Sequence, residues 1–104
     1  AAGAYEALKA LGRQNDVIIV SVDGGCPGVA DVAAGVIGAT AQHYPLDMAG
    51  LGVAAITKAV ETGAMPAATP GKAFFDTGVG LITSAPVAGM DQLTVDEGNN
   101  LCWG

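Results

Sequence analysis

Val17-Ile18-Ile19-Val20-Ser21-Val22-Asp23-Gly24-Gly25 is an apolar, mostly β-branched run that stops abruptly at a carboxylate and two glycines. A continuous run of this kind reads as a strand buried on both faces, as in a parallel α/β sheet. Open α/β sheets collect ligands outside the carboxyl ends of their strands, which is where Asp23 falls. Further along, Ala39-Thr40-Ala41-Gln42-His43-Tyr44-Pro45 carries a second short strand, 36–41, into a glutamine just before a helix beginning at Pro45. A carboxylate and an amide at neighbouring strand ends are expected to share one small polar ligand, as one wall of its pocket.

The chemistry of the two residues fits that expectation. An ionised carboxylate accepts hydrogen bonds only, so Asp23 suits hydroxyls that donate to its two oxygens. Gly24 and Gly25 allow the backbone to approach a ligand closely. Asp23 has an equally ordinary reading as a cap of the turn or of the following helix. Gln42 both donates and accepts, which suits a hydroxyl bonded on two sides; its ordinary reading is an exposed residue before a helix. His43 is the lone histidine of the chain, and Tyr44 lines a cleft or staples the helix start.

Around these motifs the pattern alternates between strands and helices. Tyr5, Leu8 and Leu11 fall at helical spacing, with Gly12 as a C-terminal cap. A helical turn is expected over 29–34, ended by Gly35. Pro45 belongs in the first turn of a helix, where its missing N–H is not needed. Leu46, Ala49, Val53, Ile56 and Val60 give that helix an apolar stripe that runs until Gly63. Met65 to Gly71 form a loop. Phe74-Phe75 and Leu81-Ile82 are expected to form two short strands, and Asp96-Glu97-Gly98-Asn99-Asn100 a solvated turn.

Composition excludes several classes. At 104 residues the chain is one modest domain, with 51% apolar and 13% charged residues, a composition that folds. Much of the apolar share is alanine and glycine, which bury little area each, so low stability in isolation is expected. A net charge of −6 with four Lys and Arg argues against nucleic acid, which requires clustered cations. No stretch approaches the roughly 18 apolar residues of a membrane span. Cys26 and Cys102 lack the short spacing of a metal or redox site, leaving a disulfide or two unrelated buried thiols. Gly50-Leu51-Gly52-Val53-Ala54-Ala55 lies inside the expected helix rather than before one, so it is no dinucleotide fingerprint. Neither Ser21 nor Ser84 has the setting of a nucleophile, and nothing supports catalysis.

Val22-Asp23-Gly24 and Ala39-Thr40-Ala41-Gln42-His43-Tyr44-Pro45 together resemble the sugar-binding members of the type I periplasmic binding proteins, the solute receptors of bacterial ABC importers. The family pattern is an apolar strand ending in Asp-Gly, followed by Ala-Thr-x-x-Gln-x-Pro. Here one additional residue separates Gln42 from Pro45. The segment Gly3-Ala4-Tyr5-Glu6-Ala7-Leu8-Lys9-Ala10-Leu11-Gly12 is similar to the family's helix before the Asp-Gly strand. The likeness spans nearly all of 1–104, but only about the last third of a family member.

The resemblance implies an α/β fold with a parallel sheet and incomplete Rossmann-like lobes. In the family, two lobes joined by three chain crossings hold the ligand between them. Residues 1–41 and 80–104 would then belong to the C-terminal lobe and 45–77 to the N-terminal lobe. It also implies Asp23 and Gln42 as ligand-binding residues, a sugar or polyol as ligand, no cofactor and an ABC permease as partner. Export to the periplasm or cell exterior favours a Cys26–Cys102 disulfide, because exported receptors mature in an oxidising compartment. Some family members share a similar Cys-Trp-Gly tail. Apolar sheet edges left bare would require the missing N-terminal part of a receptor or self-association. Three rivals remain: the effector-binding domain of a lactose-repressor-type transcription regulator, an interaction module whose partner completes the sheet, and an α/β enzyme, which has the least weight because no acid–base or nucleophile constellation is present.

Overall fold

Two short strands with a helix between them form the centre of the fold, and the run at 17–25 supplies the first. The computed structural model describes all 104 residues. In chain order the elements are α1 (Ala2–Ala10), β1 (Val20–Asp23), α2 (Cys26–Ala33), β2 (Ala39–Gln42), α3 (Pro45–Thr62), β3 (Gly80–Thr83) and α4 (Val95–Leu101). The chain divides into two compact units, one made of Ala1–His43 with Val79–Gly104 and the other of Tyr44–Gly78. No helix is long and apolar enough to cross a membrane.

The fold is a small mixed α/β arrangement with a three-stranded sheet in the order β1-β2-β3. β1 and β2 run parallel, with Ser21 opposite Thr40 and Asp23 opposite Gln42. β3 runs antiparallel to β2 and sets Ile82 opposite Thr40. The all-parallel expectation is corrected there: the chain reaches β3 without a βαβ crossover on that side, so it enters from the opposite end. Leu93 bridges Ile82 in parallel and covers part of the outer edge of β3.

One face of this sheet is covered. Side chains alternate along a strand, so Ser21, Thr40 and Ile82 lie on a common face across the three strands. Val29 and Val32 of α2 are fully buried, with Ile37 and Ile82, and these four are the apolar core. The Ser21 hydroxyl donates to Thr40 Oγ1 across the strand pair at 2.9 Å. Val20 and Val22 point to the other face and are 66% and 67% exposed. The expectation of a strand buried on both sides is therefore wrong for this chain. β1 is an edge strand beginning at Val20, and Val17 and Ile18 lie exposed before it.

Helix ends follow local chemistry. Pro45 opens α3, and Gly63 closes it in the left-handed region at φ 70°, donating its N–H to the Ala59 carbonyl at 2.8 Å. No residue of α3 is buried, and its apolar stripe, including Leu46, Val53, Ile56 and Val60, is exposed. Phe74-Phe75 is no strand: the Thr69 N–H donates to the Phe74 carbonyl, and the Asp76 N–H to Thr69 Oγ1, folding the segment as a loop. Lys72 pairs with Asp76 within that loop.

The solvated turn expected at 96–100 is a helix. Thr94 Oγ1 accepts from the Glu97 N–H at 3.2 Å, while Glu97 Oε2 accepts from the Thr94 N–H and hydroxyl, each at 2.8 Å. This reciprocal box satisfies the first free amides of α4. Gly98 is buried against Ile82; a Cβ there would meet the Ile82 side chain at 3.0–3.2 Å.

The Thr94 N–H, and then its hydroxyl, hold the Glu97 carboxyl below its ordinary pKa. The linkage has a definite sign: stability from this cap is complete above the ordinary glutamate pKa and is lost as pH falls through the lowered one. An NMR pH titration should therefore show the amides of 94–98 losing their helical shifts under acid. Glu97→Gln, which keeps the cap, should flatten that transition. An unaltered transition in Glu97→Gln would assign it to another carboxylate.

Candidate functional site

The carboxyl end of β1 carries an unusual backbone. Asp23 is the only non-glycine residue with a positive φ, at 86°, and Gly24 follows at φ 58°. A Cβ on Gly24 would lie 2.5 Å from the Gln42 Cα, so this position requires glycine both for its dihedral and for the closeness of the two chains. Conformations of this kind cost on the order of 1–3 kcal/mol and persist only where the surroundings fix them.

The surroundings here are Gln42. This side chain is fully buried. Its Nε2 donates to the Gly24 carbonyl at 2.9 Å and to the Gly98 carbonyl at 3.0 Å. One amide thus ties the end of β2 to the β1–α2 turn and to the interior of α4. Its Oε1 is buried without a hydrogen-bond partner.

Strand alternation alone would set Asp23 on the same face as Ser21, beside Gln42. The left-handed φ breaks that alternation, and the two side chains part. Asp23 is 70% exposed, with Oδ1 at 3.7 Å from His43 Nδ1, whereas Gln42 is sealed. The open wall shared by both residues is therefore not formed in this fold. Gln42 works inside it as a clamp, and Asp23 alone of the two faces solvent.

Three parts of the chain are tied together around the β1–α2 turn. The His43 N–H donates to the Asp23 carbonyl at 3.0 Å, extending the β1–β2 ladder by one bond. The Trp103 indole N–H donates to the His43 carbonyl at 3.2 Å, and the Trp103 carbonyl accepts from the Cys26 N–H at 2.9 Å. Cys26 at the start of α2 and Cys102 just after α4 form a disulfide with Cα atoms 4.9 Å apart. The expected pairing is therefore present and spans 76 residues; on the entropic model a loop of that length contributes about 4–5 kcal/mol.

A concavity belongs to the Tyr44–Gly78 unit, lined by Leu51, Ala55, Lys58, Met65, Pro66 and Phe75. It contains neither Asp23 nor Gln42. No three His, Cys, Asp or Glu side chains gather as a metal-ligand group, and both cysteines are disulfide-bonded. No family model, curated protein or solved structure matches the chain.

Sequence reasoning missed α4 and with it the burial of Gln42. The signal was Thr94-Val95-Asp96-Glu97, a capping-box pattern ahead of a short helix. It also gave no sign that Trp103 bonds to His43 and to Cys26.

Because Gln42 satisfies two buried carbonyls, Gln42→Leu should destabilise the fold by about 1–3 kcal/mol for each carbonyl left unpaired. Urea denaturation of the oxidised chain measures this. A loss of less than about 0.5 kcal/mol, the scale of an ordinary surface substitution, would contradict the clamp.

Proposed function

We propose that this chain is part of a type I solute receptor that binds a sugar or polyol and serves an ABC importer. The observation that carries the reading is the Asp23 carboxylate, exposed at the carboxyl end of a parallel strand beside Gly24 and Gly25. Such a group accepts hydrogen bonds from neighbouring hydroxyls, and bonds to a charged acceptor are the stronger kind. In a receptor of this class the lobes close on the ligand by hinge rotation, and the permease recognises the closed form.

Other features support the same reading. The chain divides between His43 and Tyr44 and between Gly78 and Val79, close to the 41–45 and 77–80 crossings that the resemblance implies. The Cys26–Cys102 disulfide favours export over the reducing cytosol in which a lactose-repressor-type regulator works. The bare β1 edge, with Val17, Ile18, Val20 and Val22 exposed, favours completion by the rest of a receptor or by a second copy. Four cations against ten acidic residues disfavour nucleic acid as a partner. The proposal requires no cofactor. Asp23 contacts the ligand, and Gln42 contributes by fixing the turn that carries Asp23.

Calorimetric titration of the natural polypeptide with pentoses, hexoses and polyols tests this. Asp23→Ala should weaken the preferred ligand by about 1.5–3 kcal/mol, the scale of a hydrogen bond to a charged group. Unchanged affinity would remove Asp23 from the site.

A further inference from the structure

We infer that the Asp23–Gly24 peptide is a modification site, at which the Asp23 carboxyl condenses with the Gly24 nitrogen and the chain re-forms as an isoaspartyl link. The inference does not depend on what the chain binds.

Asp23 is the only aspartate followed by glycine, and no asparagine is. Gly24 therefore has no side chain to shield its nitrogen from the preceding carboxyl. That carboxyl is free to turn: it is 70% exposed, and His43 Nδ1 at 3.7 Å is too distant for a hydrogen bond. The Gly24 N–H donates to no acceptor in the fold, although the carbonyls on either side of it are both engaged. The Asp23 carbonyl accepts from the His43 N–H, and the Gly24 carbonyl from Gln42 Nε2. Asp23 also holds the one positive φ outside glycine, 86°, which an L-residue keeps only at a cost.

Elsewhere the parts do not come together. Asp16 and Asp76 are paired with Arg13 and Lys72, and they precede the β-branched Val17 and Thr77. The amides after Asn15, Asp47 and Asp96 are already given, to the Arg13 carbonyl, the Tyr44 carbonyl and Thr94 Oγ1. Asp31, Asn99 and Asn100 lie within α2 and α4, and Asp91 is followed by the bulkier Gln92.

The reaction balances with water alone. The Gly24 nitrogen attacks Cγ of the protonated Asp23 carboxyl and the N–Cγ bond forms. The amide hydrogen and the carboxyl hydroxyl leave together as water, giving a five-membered imide. Water then adds to either imide carbonyl. Cleavage of the N–Cγ bond restores aspartate. Cleavage between the nitrogen and the backbone carbonyl carbon leaves the chain running through Cγ, with the former backbone carbonyl as a free carboxylate. The isoaspartyl link inserts one backbone carbon into a turn without slack, since a Cβ on Gly24 would lie 2.5 Å from the Gln42 Cα. It displaces the Gly24 carbonyl from Gln42 Nε2, so a change at an exposed bond opens the buried clamp.

The test is ageing of the natural oxidised polypeptide at neutral pH and body temperature in water enriched in heavy oxygen. Peptide mapping with electron-transfer fragmentation then distinguishes the two linkages. The peptide containing 23–24 should lose one water and regain it with label. Isoaspartate at 23 should exceed that at all other Asp and Asn positions together. Asp23→Glu, whose imide requires a six-membered ring, should abolish the product. Asp23→Asn, which expels ammonia from an uncharged amide, should speed it severalfold. In converted molecules the Gln42 side-chain amide should lose its protection from solvent exchange. Isoaspartate that forms at 23 only in urea, or in equal amounts elsewhere, would overturn the inference, as would a converted chain whose Gln42 amide stays protected.

Discussion

One buried amide holds the Ala1–His43 and Val79–Gly104 unit together. Gln42 sits at the last position of β2, and from there its Nε2 reaches the β1–α2 turn at Gly24 and the middle of α4 at Gly98. The apolar core around it is small: Val29, Val32, Ile37 and Ile82. With so few large buried side chains, a polar group that joins three elements matters more than it would in a large core. In low dielectric each of its bonds is strong, and each partner left alone would be costly. The disulfide acts beside it, linking the start of α2 to the residue after α4, so α4 is joined covalently to α2 and through the amide to the turn that precedes it.

The site follows from that clamp. Gly24 approaches Gln42 so closely that no side chain fits between them, and the chain reaches this position through the left-handed Asp23. The Asp23 carboxylate is turned outward, with His43 3.7 Å away, while Gln42 is sealed inside. Charge, aromatic ring and glycine turn then meet at one sheet end, supplied by β1, the residue after β2 and the tail. Each component is common on protein surfaces; here the turn is held by Gln42 and the tail by the Trp103 hydrogen bonds and the disulfide.

Much of this was legible in the residues. Pro45 and Gly63 bracket α3 where proline and glycine chemistry requires, and the Asp-Gly-Gly stop ends β1 as expected. The register that pairs Asp23 with Gln42 follows from two parallel strands ending in polar residues. The burial of the strand was not legible. A β-branched run records that a strand will form, but not whether anything covers its second face, and in this chain Val20 and Val22 remain open. The fate of Gln42 was hidden for a different reason. It depends on Gly98, 56 positions away, and on the Thr94–Glu97 box that makes 95–101 a helix rather than a polar turn. An amide before a helix gives no local sign that two distant carbonyls await it.

The most direct test of this account is a ¹⁵N-correlated NMR titration of the natural oxidised polypeptide with the monosaccharide that binds best. The account predicts Gln42 side-chain amide signals already protected from solvent without ligand. On addition, shifts should concentrate at the backbone amides of 23–25 and 43. Freely exchanging Gln42 amide signals, or shifts confined to α3 and 64–75, would contradict it.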